Sequence, residues 1–210
     1  FNRPFLKVTG DYFDFIDIDR DHTAIIIGDI SGHGLAAAMV LSMTSSIMHA
    51  MLRERKPLGQ AVEEINDFLN NRYRGTELIT LFAGVYNNKT RELSYINAGH
   101  CAPLIITHDT AQCFPLEGRS KIIGADSHAD YSPSKITLGK HDEMVLFTDG
   151  VVELYDEETG REFNEKKLIE TILRNCNRDI EEKINAIIDS ISSFSKSIRD
   201  DITLIAVRFL

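Results

Sequence analysis

Asp11, Asp29, Asp149 and the pair Asp200 and Asp201 stand in a context that most of the 32 acidic residues do not share. Asp11 follows Gly10 and opens the segment DYFDFIDI; Asp29 lies near the end of TAIIIGDI, before SGHG. Asp149 ends EMVLFT before Gly150, and Asp200 and Asp201 lead into ITLIAVRF. Each context puts a short carboxylate at the edge of an apolar, strand-like stretch. If those edges converge in space, mutual repulsion raises the carboxyl pKa values unless cations neutralise them. A metal site follows from that pattern. With only oxygen ligands, no C-x-x-C and no H-E-x-x-H, hard cations such as Mg²⁺ or Mn²⁺ suit it better than zinc. Two such ions about 3.5–4 Å apart could clamp a phosphoryl oxygen and convert a bridging water into hydroxide near neutral pH. Aspartate beside glycine at a strand end is also ordinary turn chemistry, so no single position makes a site. Asp29 and Asp149 shift the balance, because each follows a strongly apolar strand that otherwise has no reason to end in charge. The glycines of GDISGHG allow close backbone approach and its amides could cradle an anion, although many glycine turns do neither.

The elements that must position these residues follow from periodicity. YFDFIDI alternates apolar residues with Asp, a half-buried strand, and after the turn at Asp19 to His22 the run TAIIIGDI reads as a more buried partner in a hairpin. Beyond Gly34 the residues Leu35, Met39, Met43, Ile47 and Met51 recur every fourth position, with Val40, Met48 and Leu52 widening the stripe into a long amphipathic helix. Its methionines are expected in the core, where their flexibility would also suit a helix that repacks. Pro57 suits the first turn of a second helix with Leu58, Val62, Ile65 and Leu69 inward. Strand periodicity returns in ITLFAGVYN, RELSYINAGH and PLIITH, whereas Leu116 to Ser134 is the least patterned segment and is expected to be a surface loop. EMVLFTDG is a buried strand ending in an acidic turn. Two helices follow, one capped by Asn164 and one opened by Asp179 with Glu182 three residues on. DITLIAVRF is the last strand. Strands, two helices, strands, two helices and a strand is not the strict alternation of a parallel doubly wound fold. The expectation is an α+β domain over residues 1–210, two antiparallel β-sheets packed as a sandwich flanked by α-helices.

Composition narrows the functional classes. The chain has 210 residues, 43% hydrophobic and 26% charged, with a formal net charge of −9. That acid excess argues against a nucleic-acid binder, because a phosphate backbone is held mainly by clustered Lys and Arg. No uncharged apolar run is read as approaching the roughly 20 residues of a membrane helix, so no membrane contact is expected. Cys101, Cys113 and Cys176 are odd in number and widely spaced, which fits a reducing cytoplasm better than a disulfide framework. The start at Phe1, close to the first informative motif, suggests the C-terminal part of a longer signalling protein.

TGDYFDF, IGDISGHGLAAAM, TLFAGVY, SYINAGHCAPLI, VLFTDGVVEL, GREFNEKKL and RDDITLIAVRF, in this order, resemble the motif series of the SpoIIE-type serine phosphatases. These form the bacterial branch of the metal-dependent protein phosphatase family, which is protein phosphatase 2C-like. The resemblance covers nearly the whole chain. It implies paired antiparallel sheets flanked by helices, and hydrolysis of phosphoserine or phosphothreonine on proteins with two Mn²⁺ or Mg²⁺ ions and no phosphoenzyme. Carried over position by position, it makes Asp29 the carboxylate bridging both ions and the Ile30 carbonyl a ligand of the second. Asp149 and Asp200 would hold the first ion, with Asp201 as the alternative to Asp200, and Asp11 would serve the second directly or through water. Gly10 stands where the eukaryotic branch has Glu, and no Arg is assigned to the phosphate; Arg3 is near only in sequence. His33 could donate a proton to the leaving serine oxygen, although its glycine turn is equally explained by backbone contacts. Asp14, read as sharing a strand face with neither Asp11 nor the core, would orient a metal-bound water or simply be solvated. His100 is expected to be structural. As partners the resemblance implies a phosphorylated protein, commonly a STAS-type anti-sigma-factor antagonist, and an upstream regulatory or dimerising segment. A catalytically silent partner-binding module and a hydrolase of small phosphomonoesters are the alternatives; all four candidate Asp positions being retained favours activity.

Overall fold

The computed structural model describes residues 1–4, 9–32, 34–156, 160–194 and 200–210. In chain order the elements are β1 (Asn2–Arg3), β2 (Asp11–Asp17), β3 (His22–Ile30), α1 (Leu35–Arg53), α2 (Leu58–Tyr73), β4 (Ile79–Asn87), β5 (Glu92–Ala98), β6 (Leu104–Ile106), β7 (Cys113–Pro115) and β8 (Ser134–Thr137). There follow β9 (Glu143–Phe147), a 3₁₀ turn at Asp149–Val151, β10 (Leu154–Asp156), β11 (Arg161–Phe163), α3 (Glu165–Arg174), α4 (Ile180–Phe194) and β12 (Ile202–Arg208). The chain divides into a larger unit, Lys7–His100 with Glu117–Leu138, and a smaller one, Phe1–Leu6, Cys101–Leu116 and Gly139–Leu210. Each contains one five-stranded antiparallel sheet and two helices, so the α+β class read from the sequence holds.

In the larger unit the sheet runs β2-β3-β4-β5-β8. Alternation along its strands sends Ala24, Ile26 and Ile30 of β3, Leu81 and Ala83 of β4, and Ile96 and Ala98 of β5 to one face, where they pack with both helices. α2 buries Leu58, Val62, Ile65 and Leu69 as its spacing predicts. α1 departs from its predicted face. Leu35, Met39 and Met43 are exposed, and the helix packs through Ala37, Val40, Leu41, Thr44, Met48 and Leu52, with Met51 only partly buried. A strict four-residue repeat drifts around a helix of 3.6 residues per turn, so the buried face follows the mixed three- and four-residue series instead. The expectation that no segment approaches a membrane span also needs correction. Leu35–Arg53 is long and apolar enough by length and composition alone, since its Ser, Thr and His interrupt the run without charging it. The segment from Leu116 to Ser134 is irregular but is not confined to the surface, because Ile123 and Tyr131 are fully buried in this core. Tyr131 donates to Asn66 Oδ1 at 3.2 Å, which satisfies its hydroxyl there.

In the smaller unit the sheet runs β1-β12-β9-β6-β7, and α3 and α4 pack Leu168, Ile172, Ile187 and Ile191 with Val145, Phe147, Ile202 and Leu204. The Asn164 side chain accepts from the Lys167 amide, and Asp179 Oδ1 accepts from the Glu182 amide at 2.9 Å, so both predicted helix starts are capped. The hairpin β10–β11 and the short strand β7 were not visible in the sequence, being only three residues each.

Candidate active site

In the larger unit Asp11 and Asp29 are cross-strand partners, the pair that closes the β2–β3 register at the Ile30 end. Cross-strand partners share a face, so the two carboxylates stand side by side; Asp11 is buried and Asp29 half-buried. The backbone reinforces this, with the Ile30 amide donating to the Gly10 carbonyl at 3.4 Å. A Cβ on Gly10 would lie 3.1 Å from Asp29 Oδ1, 3.4 Å from the Gly32 carbonyl oxygen and 3.6 Å from the Ile30 carbonyl oxygen. Three oxygens therefore face one small space, and the absence of a side chain at Gly10 keeps it open. Thr80 lies opposite Asp29 in β4, and its hydroxyl pairs with His100 Nδ1 at 2.9 Å. His100 is buried, and its amide donates to Asn97 Oδ1, so it braces the sheet behind Asp29.

Asp14 is not with this pair. It shares its strand face with Ile16, a core residue, which corrects the expectation that it lies on neither face. Its Oδ2 meets His49 Nε2 of α1 at 2.7 Å and accepts from the Tyr12 hydroxyl at 3.1 Å, so it ties β2 to the helix. His33 lies outside the described residues.

In the smaller unit β9 ends at Phe147, and Thr148 fastens that end to β12: the Thr148 amide donates to the Thr203 carbonyl at 3.1 Å, and the Thr203 amide donates to Thr148 Oγ1 at 3.0 Å. The chain then turns tightly at Asp149–Val151. A Cβ on Gly150 would lie 3.0 Å from the Asp201 carbonyl carbon and 3.5 Å from Asp200 Cβ, and closer still to the Asp201 carbonyl oxygen. Only glycine permits that approach, which brings Asp149 and Asp200 together. Burial pushes the Asp149 carboxyl above the usual range, and the neighbouring Asp200 and Glu153 carboxylates push it further. Asp200, which is exposed, thus acts on Asp149 together with Glu153; Asp201 is buried and its amide donates to Asp200 Oδ1 at 2.8 Å. Glu153 was missed in the sequence. Its spacing of four from Asp149, with its amide donating to the Asp149 carbonyl at 2.8 Å, was the available signal.

Among the described residues no three His, Cys, Asp or Glu side chains gather as a metal cage. The carboxylates come in pairs. A small hard cation such as Mg²⁺ keeps several waters and takes only one or two carboxylates, so pairs supplemented by backbone carbonyls are a donor set that fits it. The open oxygen cradle over Gly10 meets that description, as does the repulsion stored at Asp149 and Asp200.

The family model for Stage II sporulation protein E (SpoIIE) matches residues 19–210, and the chain belongs to that family. It is 28% identical over 207 residues to the phosphoserine phosphatase RsbU of Bacillus subtilis (strain 168), covering 98% of this chain and 61% of RsbU. This chain therefore spans about three fifths of the length of that curated relative. Among solved structures, the SiaA-PP2C domain of Pseudomonas aeruginosa superposes with a TM-score of 0.85 at 20% identity, covering 100% of this chain and 85% of that one. RsbX in complex with magnesium superposes with a TM-score of 0.73 at 15% identity, covering 100% and 93%. The fold is that of PP2C-type phosphatase domains.

Proposed function

We propose that the chain is a metal-dependent protein-serine/threonine phosphatase. Its proposed substrate is phosphoserine or phosphothreonine on a bacterial signalling protein, an anti-sigma-factor antagonist of the STAS type being the class that the resemblance favours. The observation that carries this reading is the oxygen cradle of Asp29, Ile30 and Gly32 over Gly10 beside buried Asp11, in a chain similar to a phosphoserine phosphatase. By that resemblance Asp29, Asp11 and the Ile30 carbonyl would be the Mn²⁺ or Mg²⁺ ligands of the larger unit, and Asp149 and Asp200 those of the smaller one. Bound there, the ions would supply the Lewis acidity and positive charge that phosphomonoester hydrolysis needs. The chain's own residues do the rest. Gly10 keeps the cradle open, the Thr148–Thr203 clamp and Gly150 hold Asp149 against Asp200, and the Asp201 amide fixes the Asp200 side chain. Asp201 is the reserve ligand.

The test is turnover of para-nitrophenyl phosphate with and without Mn²⁺, then of phosphoserine-bearing STAS domains. Activity is expected to require metal, and Asp29→Asn to lose it by about 10³-fold or more while keeping its circular dichroism spectrum, because a neutral amide removes charge that the ions need. Wild-type rates in Asp29→Asn would refute the site. Efficient turnover of small esters with every phosphoprotein untouched would replace the protein-directed reading by the small-molecule one.

A further inference from the structure

The smaller unit holds a polar cavity of about 450 Å³ at the end of its sheet remote from Asp149. Glu143 opens β9 and Asp149 follows the end of the same strand, a separation on the order of 20 Å at roughly 3.3 Å per residue. In a chain of net charge −9, this cavity is lined by Arg178, Lys183, Arg208, His108 and His141 against the single acid Glu143.

The charges at its floor do not balance. Lys183 Nζ donates to Glu143 Oε2 at 2.7 Å, and Arg208 Nε and Nη2 donate to Oε1 at 3.0 and 2.8 Å. The Glu143 and Lys183 side chains are only 5% and 8% exposed, and Arg208 is one third exposed. One carboxylate thus faces two cations, and removing a charge from water without a full counter-charge is costly. The Arg178 guanidinium and the imidazoles of His108 and His141 have no hydrogen-bonding or ionic partner among the described residues; the two rings meet edge to face at 5.4 Å. Asp142 is not among the lining residues but keeps its charge beside them; its Oδ1 accepts from the His108 amide at 2.9 Å and its Oδ2 from the Gly139 amide at 2.7 Å. Those bonds hold the His108 and His141 loops in place, and two lining residues, Ala111 and His141, keep left-handed φ values of 50° and 67° that non-glycine residues adopt at a cost.

We propose that this cavity binds the phosphate group of a small phosphorylated compound. Among the lining residues three cations stand against one carboxylate, an excess of positive charge that Asp142 beside them lowers without cancelling, and the arginine fork matches phosphate oxygens in geometry. A space of this size admits more than a bare ion, and Ile106 and Ala111 supply apolar wall for an organic remainder. The free phosphate ion shares the same chemistry. The inference stands apart from the phosphatase reading, since none of its residues belongs to the proposed catalytic pairs.

The experiment is an amide NMR titration in magnesium buffer at constant ionic strength, with inorganic phosphate, with AMP, and with potassium chloride as blank. Phosphate is expected to give saturable shifts at His108, His141, Arg178 and Arg208. Arg178→Glu, at an exposed and unpaired position, should weaken binding at least tenfold without moving the thermal midpoint, and Asp29→Asn should leave it unchanged. Tighter binding of AMP than of phosphate identifies an organic phosphate as the source; equal binding identifies the free ion. Shifts no greater than the chloride blank, undiminished binding in Arg178→Glu, or loss of binding in Asp29→Asn would overturn the proposal.

Discussion

Gly150→Ala tests whether the Asp149 turn and the Asp200 strand entry are held as a unit. The added methyl would stand 3.0 Å from the Asp201 carbonyl carbon and 3.5 Å from Asp200 Cβ, with the Asp201 carbonyl oxygen nearer than either. Carbon atoms pack at about 3.5–4 Å, so the entry to β12 has to retreat by roughly 0.5–1 Å or more. The clamp formed by Thr148 and Thr203 resists that movement. Overpacking costs about 1–3 kcal/mol, and weakening the two clamp hydrogen bonds adds about 1 kcal/mol each, for a total of roughly 3–5 kcal/mol. In a chain of this length 1 kcal/mol moves Tm by about 2–4 °C, so Tm should fall by at least about 6 °C. Because Asp149 and Asp200 separate together with their backbones, Mn²⁺-dependent turnover should fall about 100-fold. Thermal unfolding followed by circular dichroism and a phosphatase assay on the same sample read both effects. An unchanged Tm would refute the packing argument, and a lowered Tm with full turnover would refute the role assigned to the pair.

Met48→Ala, at a fully buried position, should cost about 2–5 kcal/mol, whereas Met39→Ala and Met43→Ala, both exposed, should stay within about 0.5 kcal/mol in urea unfolding. Asp14→Ala removes a partly exposed link to His49 and should cost about 1 kcal/mol or less, with turnover within about twofold of wild type; a loss like that of Asp29→Asn would return Asp14 to the site. Asp19, whose carboxyl is lowered to about 2 by the Asp21 amide first and by His22 second, stabilises the fold above its ordinary value of 3.8 and ceases to do so as pH falls towards 2. Asp19→Asn should therefore flatten that stretch of the acid-unfolding curve, as measured by urea midpoints across it; an unaltered slope would contradict the assignment.

Asp29 and Asp149 stood out in the sequence because each ends a strongly apolar run, and period-2 and period-3.6 patterning located the long elements around them. Spacing could not say which acids share a face. Asp11 and Asp29 meet because of a register set by the hairpin, and Asp14, three residues from Asp11, falls on the other side of the strand. The exposed face of α1 was misread because its apolar residues extend round most of the helix, leaving composition unable to choose a side. Tyr131 and Ile123 were invisible as core residues, since burial in an irregular segment leaves no period to detect. The cationic cavity draws on residues from 106 to 208, a long-range gathering that no local window contains.

The strand order of the smaller unit also has a temporal side. Its penultimate position is occupied by β12, Ile202–Arg208, which separates β1 from β9 and bonds to both. During synthesis, β1 must wait through nearly the whole chain before its partner emerges. The larger unit closes its sheet with β8, at Ser134–Thr137, while about a third of the chain is still to come. Folding during synthesis would thus run larger unit first, and the smaller unit, whose β1–β12 pair joins Asn2 to Thr203, would follow once β12 has emerged. Asp200 would reach Asp149 only then, well after the oxygen cradle over Gly10 has been assembled in the larger unit.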